Sequence, residues 1–156
     1  LAANLDRLGL EAETVCADAL DWRPPAAPAG VLLDAPCSAT GTMRRHPDVA
    51  HLKRPGDVAR LAELQARLLD AAAAMLGPGG VLVYCVCSLQ AAEGPEQVAA
   101  LLARHPELAR QPIDAAEVAD LNELISPDGD LRTLPCHLAA QGGMDGFYAA
   151  RLRRKN

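Results

Sequence analysis

The sequence predicts an α/β protein with an open sheet, and three observations support this fold class. Two short apolar runs typical of strands, Val31–Leu33 and Val81–Tyr84, each give way to small, polar and reactive residues. The segment Asp57–Leu76 places its apolar residues on a single helical stripe. Half of the 156 residues are hydrophobic but only 3% are aromatic, so the core must consist of Leu, Val and Ala. This composition favours helices packed on a sheet over a β-sandwich.

The first elements are a helix and a short strand. Leu1–Leu8 has apolar residues at helical spacing and is followed by Gly9, a residue type that commonly ends helices. Thr14–Ala17 is predicted to be a strand that ends at Asp18. An acid at the carboxyl end of a strand can accept a hydrogen bond from a ligand or can cap the next turn, and the residues alone leave both roles open.

The clearest helix is Asp57–Leu76, with Asp57 as its N-cap. The glycine-rich turn Gly77–Gly80 ends it and leads into Val81–Tyr84, a continuous apolar run typical of a strand buried on both faces. These features predict a helix that packs on the sheet and a strand in its interior.

The second half of the chain is predicted to contain one further helix and short extended segments. Pro95–Arg104 is predicted to be a helix, and His105 is expected to interact with the dipole at its C-terminus. Pro112–Asp114 is expected to close a short strand, and Ser126–Asp130 is a turn before an extended segment. The glycines of Gly142–Leu152 predict a turn that enters a final strand.

Reactive side chains follow both predicted sheet strands. Asp34 and Cys37 come after the first strand, and Cys87 comes after the second. Ligands bind at the carboxyl ends of strands in open α/β sheets, so these groups are expected at one edge. A thiolate with an acid nearby suits attack on an electron-poor carbon.

Composition and charge limit the classes of protein that fit. The formal net charge of −5 excludes a globally basic surface for nucleic acid, so any such surface must be local. No run of 18 apolar residues and no signal-peptide pattern is present, and we expect a soluble cytoplasmic chain without membrane contact. An odd, unevenly spaced set of cysteines argues against a disulfide framework. The cysteines are Cys16, Cys37, Cys85, Cys87 and Cys136.

One segment departs from the acidic balance of the chain. Between residues 43 and 60 there are five Lys or Arg residues against two acids. The segment is either a solvated loop or a local strip that contacts phosphates beside the reactive edge. The residues assigned to RNA binding are Arg44, Arg45, His46, Lys53 and Arg54.

Four ordered motifs resemble those of one enzyme family. The stretches are Leu32–Gly41, Arg44–Asp48, Leu82–Leu89 and Gly143–Tyr148. They are similar to the motifs of the Sun (Fmu), or Nop/Sun, family of RNA cytosine-5 methyltransferases, and the bacterial members that methylate 16S ribosomal RNA are the nearest match. The resemblance runs essentially from end to end of the chain.

The resemblance implies a class I S-adenosyl-L-methionine-dependent methyltransferase (Rossmann-like) fold with a mostly parallel sheet in the strand order 3-2-1-4-5-7-6. In this family a cysteine thiolate adds to cytosine carbon 6, and carbon 5 then accepts the methyl group. The resemblance makes Cys87 the nucleophile and Cys37 the group that assists release of the adduct. Asp34 would hydrogen-bond or protonate the ring nitrogen beside the amino group.

The resemblance also implies a cofactor site and an RNA substrate. The residues assigned to S-adenosylmethionine are Asp18, Asp34 and Pro36. Asp18 matches the acid that binds the adenine amino group, and Pro36 would shape the loop against the methionine end and the target base. The RNA, most simply that of the small ribosomal subunit, must present the cytosine unpaired or flipped out. No metal is implied.

Three alternatives remain open at this point. Cys37 could be the nucleophile, as the Pro-Cys cysteine is in related DNA enzymes. Cys85 and Cys87 could bind zinc together with Cys37 or Cys136, although a Cys-x-Cys spacing differs from the usual pattern. The chain could also be a non-catalytic, methyltransferase-like module that binds RNA or a protein partner.

The sequence departs from the family pattern at two places and in extent. Val86 stands where the family usually has Thr, and Gln90–Glu93 is less acidic than its counterpart. The family's first strands, its glycine-rich cofactor loop and an upstream RNA-binding domain are expected to precede Leu1. We therefore expect residues 1–156 to be the C-terminal portion of a methyltransferase domain that alone binds the cofactor weakly and is inactive.

Overall fold

The computed structural model describes residues 1–52 and 54–156, with Pro55 described by its backbone alone. Its α-helices are α1 (Ala2–Leu8), α2 (Val49–Leu52), α3 (Pro55–Met75) and α4 (Pro95–Arg104). Its strands are β1 (Gly30–Asp34), β2 (Val81–Val86), β3 (Leu108–Arg110), β4 (Leu131–Thr133) and β5 (Phe147–Arg154). Short 3₁₀ turns lie in the connections.

The strands form one mixed sheet in the order β1-β2-β5-β3, with β4 also paired to β5. β1 and β2 are parallel, in register from Gly30 opposite Val81 to Asp34 opposite Cys85, and α3 provides the crossover between them. β5 runs antiparallel to β2, β3 and β4. The α/β class is confirmed, and the order matches the 4-5-7-6 part of the predicted sheet. Parallel pairing is less dominant than predicted, because every pairing of β5 among the described residues is antiparallel.

The core lies between the sheet and the helices α3 and α4. β2 is the buried centre, with Leu82, Tyr84 and Val86 fully inaccessible to solvent. α3 contacts β1, β2 and α4. The predicted apolar stripe of α3 is thus confirmed as core. Its buried apolar residues, with the cap residue that follows the helix, are Leu68, Leu69, Ala71, Ala72, Ala73 and Leu76.

Two helix ends agree with the sequence-based predictions. α1 is followed by Gly9 in the left-handed conformation, with φ 63°. α4 has the predicted bounds and is capped by His105. The ring nitrogens of His105 lie 2.9 Å from a Glu107 oxygen and 3.1 Å from an Asp70 oxygen, so this side chain joins the end of α4 to α3.

The predicted start of α3 is wrong. The helix begins at Pro55 and its N-cap residue is Arg54, not Asp57. The Asp57 carboxylate instead accepts the Arg54 backbone N–H at 2.8 Å, as an acid in the first turn can do. The helix ends at Met75, with Leu76 as the cap residue.

Two strand predictions are also wrong. Thr14–Ala17 forms no strand, because no other strand of residues 1–52 and 54–156 lies beside it to complete a ladder. β3 ends at Arg110 and does not extend to Pro112–Asp114. Proline has no N–H to donate to the sheet, and the Ile113 N–H turns to the Gly129 carbonyl at 2.8 Å.

The predicted turns before β4 and β5 are confirmed. Gly129, with φ 81°, lies in the turn that enters β4, and Gly142 and Gly143 adopt positive φ shortly before β5. None of the helices in the described ranges combines the length and apolarity that crossing a bilayer requires.

Candidate active site

Two cysteines face each other at the carboxyl edge of the parallel pair. Cys37 lies in the loop after β1 and Cys87 follows β2 directly. Their sulfurs are 3.5 Å apart, and both residues are partly buried. Parallel strands send their following loops to the same edge, which is why residues 50 positions apart meet here. A substrate that reaches one sulfur therefore also lies close to the other.

The protein surroundings favour the protonated form of the Cys37 thiol. Burial raises the pKa of Cys37 from its ordinary value of 9.0 to about 12, and the neighbouring Cys87 adds to the rise. Burial, followed by the negative charge of Asp34, raises the pKa of Cys85 to about 11. Cys37 is thus a proton-bearing group at neutral pH.

Asp34 is the last residue of β1 and its side chain is exposed at the same edge. One of its oxygens accepts a hydrogen bond from the Cys85 thiol at 3.8 Å. An ionised carboxylate has about four acceptor positions, so Asp34 retains capacity to bind a ligand donor.

Glycines allow three loops to meet beside the cysteines. The Gly41 N–H donates to the Cys87 carbonyl at 3.1 Å, and the Gly146 N–H donates to the Gly41 carbonyl at 2.8 Å. A Cβ atom on Gly41 would lie 1.9 Å from the Gly146 carbonyl oxygen. The loops after β1 and β2 and the segment before β5 are therefore packed backbone against backbone.

Sequence reasoning missed a buried acid behind the cysteines. Glu93 is inaccessible to solvent and accepts hydrogen bonds from the Ser38 N–H at 2.8 Å, from the Ser38 and Ser88 hydroxyls at 2.5 Å each, and from the Gln65 amide at 3.2 Å. The acid following the second cysteine motif was visible in the sequence, but its burial and its partners depend on the tertiary fold.

The basic residues assigned to RNA binding lie partly beside this site. Arg45 donates its Nε–H to Asp145 at 2.6 Å, and the Nε of Arg44 lies 3.4 Å from the same carboxylate. These contacts, chiefly the Arg45 hydrogen bond, lower the pKa of Asp145. The hydrogen bond to Asp145 raises the pKa of Arg45, and the charge of Cys87 adds a smaller contribution. Both arginines therefore lie, through Asp145, next to the Gly146 segment that contacts the loop after β1.

The other residues assigned to RNA binding are His46, Lys53 and Arg54. The His46 and Arg54 side chains are exposed, and Arg54 is the N-cap residue of α3. Lys53 lies outside the described residues. Their contact with RNA stays a prediction.

Pro36 and Asp18, the two other residues assigned to the cofactor, differ in their surroundings. Pro36 is exposed beside Cys37, and its carbonyl accepts the Gln65 amide N–H at 2.8 Å. Asp18 is exposed and accepts the Leu20 N–H at 2.9 Å, so it caps a turn. Within the described ranges no hydrogen bond or ion pair connects Asp18 to the cysteine pair.

Residues 1–52 and 54–156 contain no set of side chains for the zinc site that the sequence left open. No group of three or more His, Cys, Asp or Glu side chains that could hold a metal ion is present there. Cys136 is exposed, and the Cys85 thiol is directed to Asp34.

A 4-5-7-6 strand order with reactive residues at the carboxyl ends of its parallel strands is that of part of a class I methyltransferase sheet. The family described as 16S rRNA methyltransferase RsmB/F matches residues 1–153. The chain belongs to this family, and the resemblance found in the sequence is confirmed.

Individual relatives agree with this assignment. Ribosomal RNA small subunit methyltransferase B of Sodalis glossinidius is 50% identical over 152 residues, which cover 96% of this chain and 32% of that protein. The protein of the same name from Pseudomonas putida is 46% identical over 152 residues, covering 96% and 33%. The crystal structure of NSun6 from Pyrococcus horikoshii with SFG has a TM-score of 0.78 and 26% identity, covering 99% and 38%. The chain spans about a third of the length of the curated relatives it matches.

Proposed function

We propose that this chain carries the cytosine-activating part of an S-adenosylmethionine-dependent RNA cytosine-5 methyltransferase. The observation that supports it most strongly is the Cys37–Cys87 sulfur pair, 3.5 Å apart at a strand edge that also exposes Asp34. The relatives named as methyltransferases of small subunit ribosomal RNA make 16S rRNA the proposed substrate.

Cytosine carbon 5 is a weak nucleophile and must be activated. The Cys87 thiolate adds to carbon 6 and forms a carbon–sulfur bond, which moves electron density to carbon 5. Asp34 in its protonated form donates a hydrogen bond or its proton to the ring nitrogen beside the amino group, which makes carbon 6 more electrophilic. After carbon 5 has gained its methyl group, a solvent water accepts the carbon-5 proton, the electrons of that bond form the carbon 5–carbon 6 double bond, and the carbon 6–sulfur bond breaks. Any proton on the ring nitrogen returns to Asp34, which restores the aromatic ring and the Cys87 thiolate.

Cys37 is proposed to act in the release step. Its burial keeps the thiol protonated at neutral pH, as its raised pKa indicates, and it lies against the Cys87 sulfur that must depart. A protonated thiol is a poor nucleophile. The match of the Leu82–Leu89 stretch to the family's motif supports Cys87 as the attacking group.

The cofactor is proposed to be S-adenosylmethionine, which supplies the electrophilic methyl group when bound. The structure of NSun6 from Pyrococcus horikoshii, to which this chain is similar, was determined with SFG, an analogue of this cofactor. The exposed Asp34 carboxylate retains acceptor capacity and fits such a ligand, and the Gln65 hydrogen bond holds Pro36 in place beside it. Asp18 is proposed to contact the adenine amino group, a role that its turn-capping hydrogen bond leaves open through its second oxygen.

The proposed extent of the functional unit is larger than this chain. Residues 1–156 are proposed to be the C-terminal portion of the catalytic domain, working with a glycine-rich cofactor loop and an RNA-binding domain that precede it in the complete protein. The chain spans about one third of the length of its relatives, which supports a functional unit larger than residues 1–156.

The experiment that tests the function uses the complete protein, 16S rRNA and S-adenosylmethionine with a labelled methyl group. We expect label in 5-methylcytosine after digestion of the RNA to nucleosides, and none with Cys87→Ala. If the wild-type protein binds the RNA but transfers no label, the non-catalytic module replaces the enzyme as the better account.

A further inference from the structure

Glu93 joins the two cysteine-bearing loops from behind. Cys37 is followed by Ser38 and Cys87 is followed by Ser88, and both serine hydroxyls donate to the same carboxylate oxygen of Glu93 at 2.5 Å. The other oxygen accepts the Ser38 backbone N–H at 2.8 Å. One buried carboxylate thus holds the residue next to each sulfur.

Neighbouring groups fix the position of this carboxylate. The Gln65 amide donates to Glu93 at 3.2 Å and to the Pro36 carbonyl at 2.8 Å, so the residue on the other side of Cys37 belongs to the same network. The Tyr84 hydroxyl donates to the Glu93 carbonyl at 2.6 Å and ties the Glu93 backbone to β2. The network therefore surrounds Cys37 from both sides.

A buried acid is a costly way to connect two loops. Removing a carboxylate from water costs several kcal/mol unless strong hydrogen bonds compensate it. Hydroxyl-to-carboxylate bonds of about 2.5–2.7 Å are in the range of charge-assisted hydrogen bonds, which are about twice as strong as neutral ones. Such bonds hold side chains in one geometry, which is what a reaction that uses two sulfurs in succession requires.

We propose that Glu93 is a positioning residue for the two-cysteine reaction, and that it sets the relative placement of the Cys37 and Cys87 sulfurs through Ser38 and Ser88. This inference rests on the proposed function for its chemical meaning. It concerns the distance between the sulfurs, which can be measured without methyl transfer.

The test measures how readily the two thiols form a disulfide in the complete protein. Glutathione disulfide oxidises Cys37 and Cys87, which lose two protons and two electrons, and is itself reduced to two glutathione thiols. When half of the protein carries the disulfide, the squared concentration of glutathione thiol divided by the concentration of glutathione disulfide equals the effective concentration of one cysteine thiol at the other. Peptide mapping identifies the Cys37–Cys87 disulfide among any others.

The key variant is Glu93→Gln, which keeps the size of the side chain but removes its charge. We expect the effective concentration to fall by about tenfold, because the two loops are no longer held in one geometry in the reduced protein and disulfide formation must order about one residue's backbone. The matched control is Glu96→Gln, three residues away and exposed, which should equal wild type. When Ser38 and Ser88 have already been replaced by alanine, Glu93→Gln should lower the effective concentration much less than in the wild type, because the hydroxyl partners of Glu93 are already absent.

Single-turnover methyl transfer is measured on the same proteins. We expect Glu93→Gln to slow release of the RNA adduct as well as its formation, at a temperature where the variant is fully folded. The inference is overturned if Glu93→Gln matches Glu96→Gln in effective concentration, or if it only lowers the midpoint of thermal unfolding. A failure of the proposed function would look different from a failure of this inference. The wild-type protein would then transfer no methyl group, while Glu93→Gln would still lower the effective concentration of the thiols.

Discussion

At the scale of single residues, Cys37 and Cys87 have different surroundings although their sulfurs touch. Cys37 lies in the loop after β1, where burial raises the pKa of its thiol, whereas Cys87 directly follows β2 and its carbonyl accepts the Gly41 N–H. Cys37 is therefore suited to hold a proton. The sequence motifs predicted both cysteines, and only the packing around them separates their environments.

The raised pKa of Cys37 predicts a loss of stability in alkali. The folded state keeps this thiol protonated up to about 12, and the ordinary value is 9.0. Above pH 9 the unfolded chain loses this proton more readily than the folded one, so the free energy of unfolding decreases as pH rises. The urea midpoint of the wild type should therefore fall more between pH 8 and pH 10 than that of Cys37→Ala. Equal losses in the two proteins would contradict this account of Cys37.

At the scale of elements, the site depends on loops that cross without side chains between them. The loop after β1 and the segment before β5 contact each other at Gly41 and Gly146. The Gly41 N–H also donates a hydrogen bond to the Cys87 carbonyl. Backbone contacts this close leave no space for a Cβ atom.

Gly41→Ala is expected to destabilise the protein by about 2–3 kcal/mol or more, the cost of overpacking a site that cannot yield. The added Cβ atom would lie 1.9 Å from a backbone oxygen. Chemical unfolding measures the change, and the Cys37–Cys87 disulfide should form less readily in the same variant. The matched control is Gly56→Ala in α3, where a Cβ meets no atom within 4 Å.

Gly56→Ala, in the first turn of α3, should instead keep the stability within about 0.5 kcal/mol of wild type, because its Cβ meets no atom and alanine is the better helix former. If both glycine variants have the same stability, the loop crossing does not hold the site together.

Elements with a strong local signal were predicted well from the sequence. The stripe of α3, the bounds of α4 and the glycine end of α1 follow from periodicity and capping chemistry. The predicted strand at Thr14–Ala17 fails because a strand exists only through its neighbours. Glu93 was missed for a related reason, since its serine partners are 55 and 5 residues away and meet it only in the folded sheet.

At the scale of the whole molecule, charge is distributed unevenly. The chain has a formal net charge of −5, yet the exposed residues Arg44, Arg45 and His46 lie together in the loop before α2. Asp145 neutralises part of this surface through its pairs with both arginines. A local basic surface beside the cysteines is compatible with an RNA substrate, although the overall charge is negative.

Arg44→Ala is expected to weaken binding of single-stranded 16S rRNA segments and to reduce the slope of log K against log salt by about 0.7, the contribution of one phosphate contact. The matched control is Arg104→Ala, which removes the same charge from the end of α4, where Arg104 pairs with Asp70. Titrations of the complete protein at several salt concentrations measure both. Equal slopes for the two variants would remove Arg44 from the RNA surface.

Cys87 is proposed to attack the base and Cys37 to assist its release. Cys37→Ala and Cys87→Ala versions of the complete protein are incubated with 16S rRNA and S-adenosylmethionine, and covalent protein–RNA adducts are resolved on a denaturing gel. We predict that the adduct accumulates with Cys37→Ala and is absent with Cys87→Ala. An adduct that accumulates with Cys87→Ala and is absent with Cys37→Ala would contradict the account and make Cys37 the nucleophile.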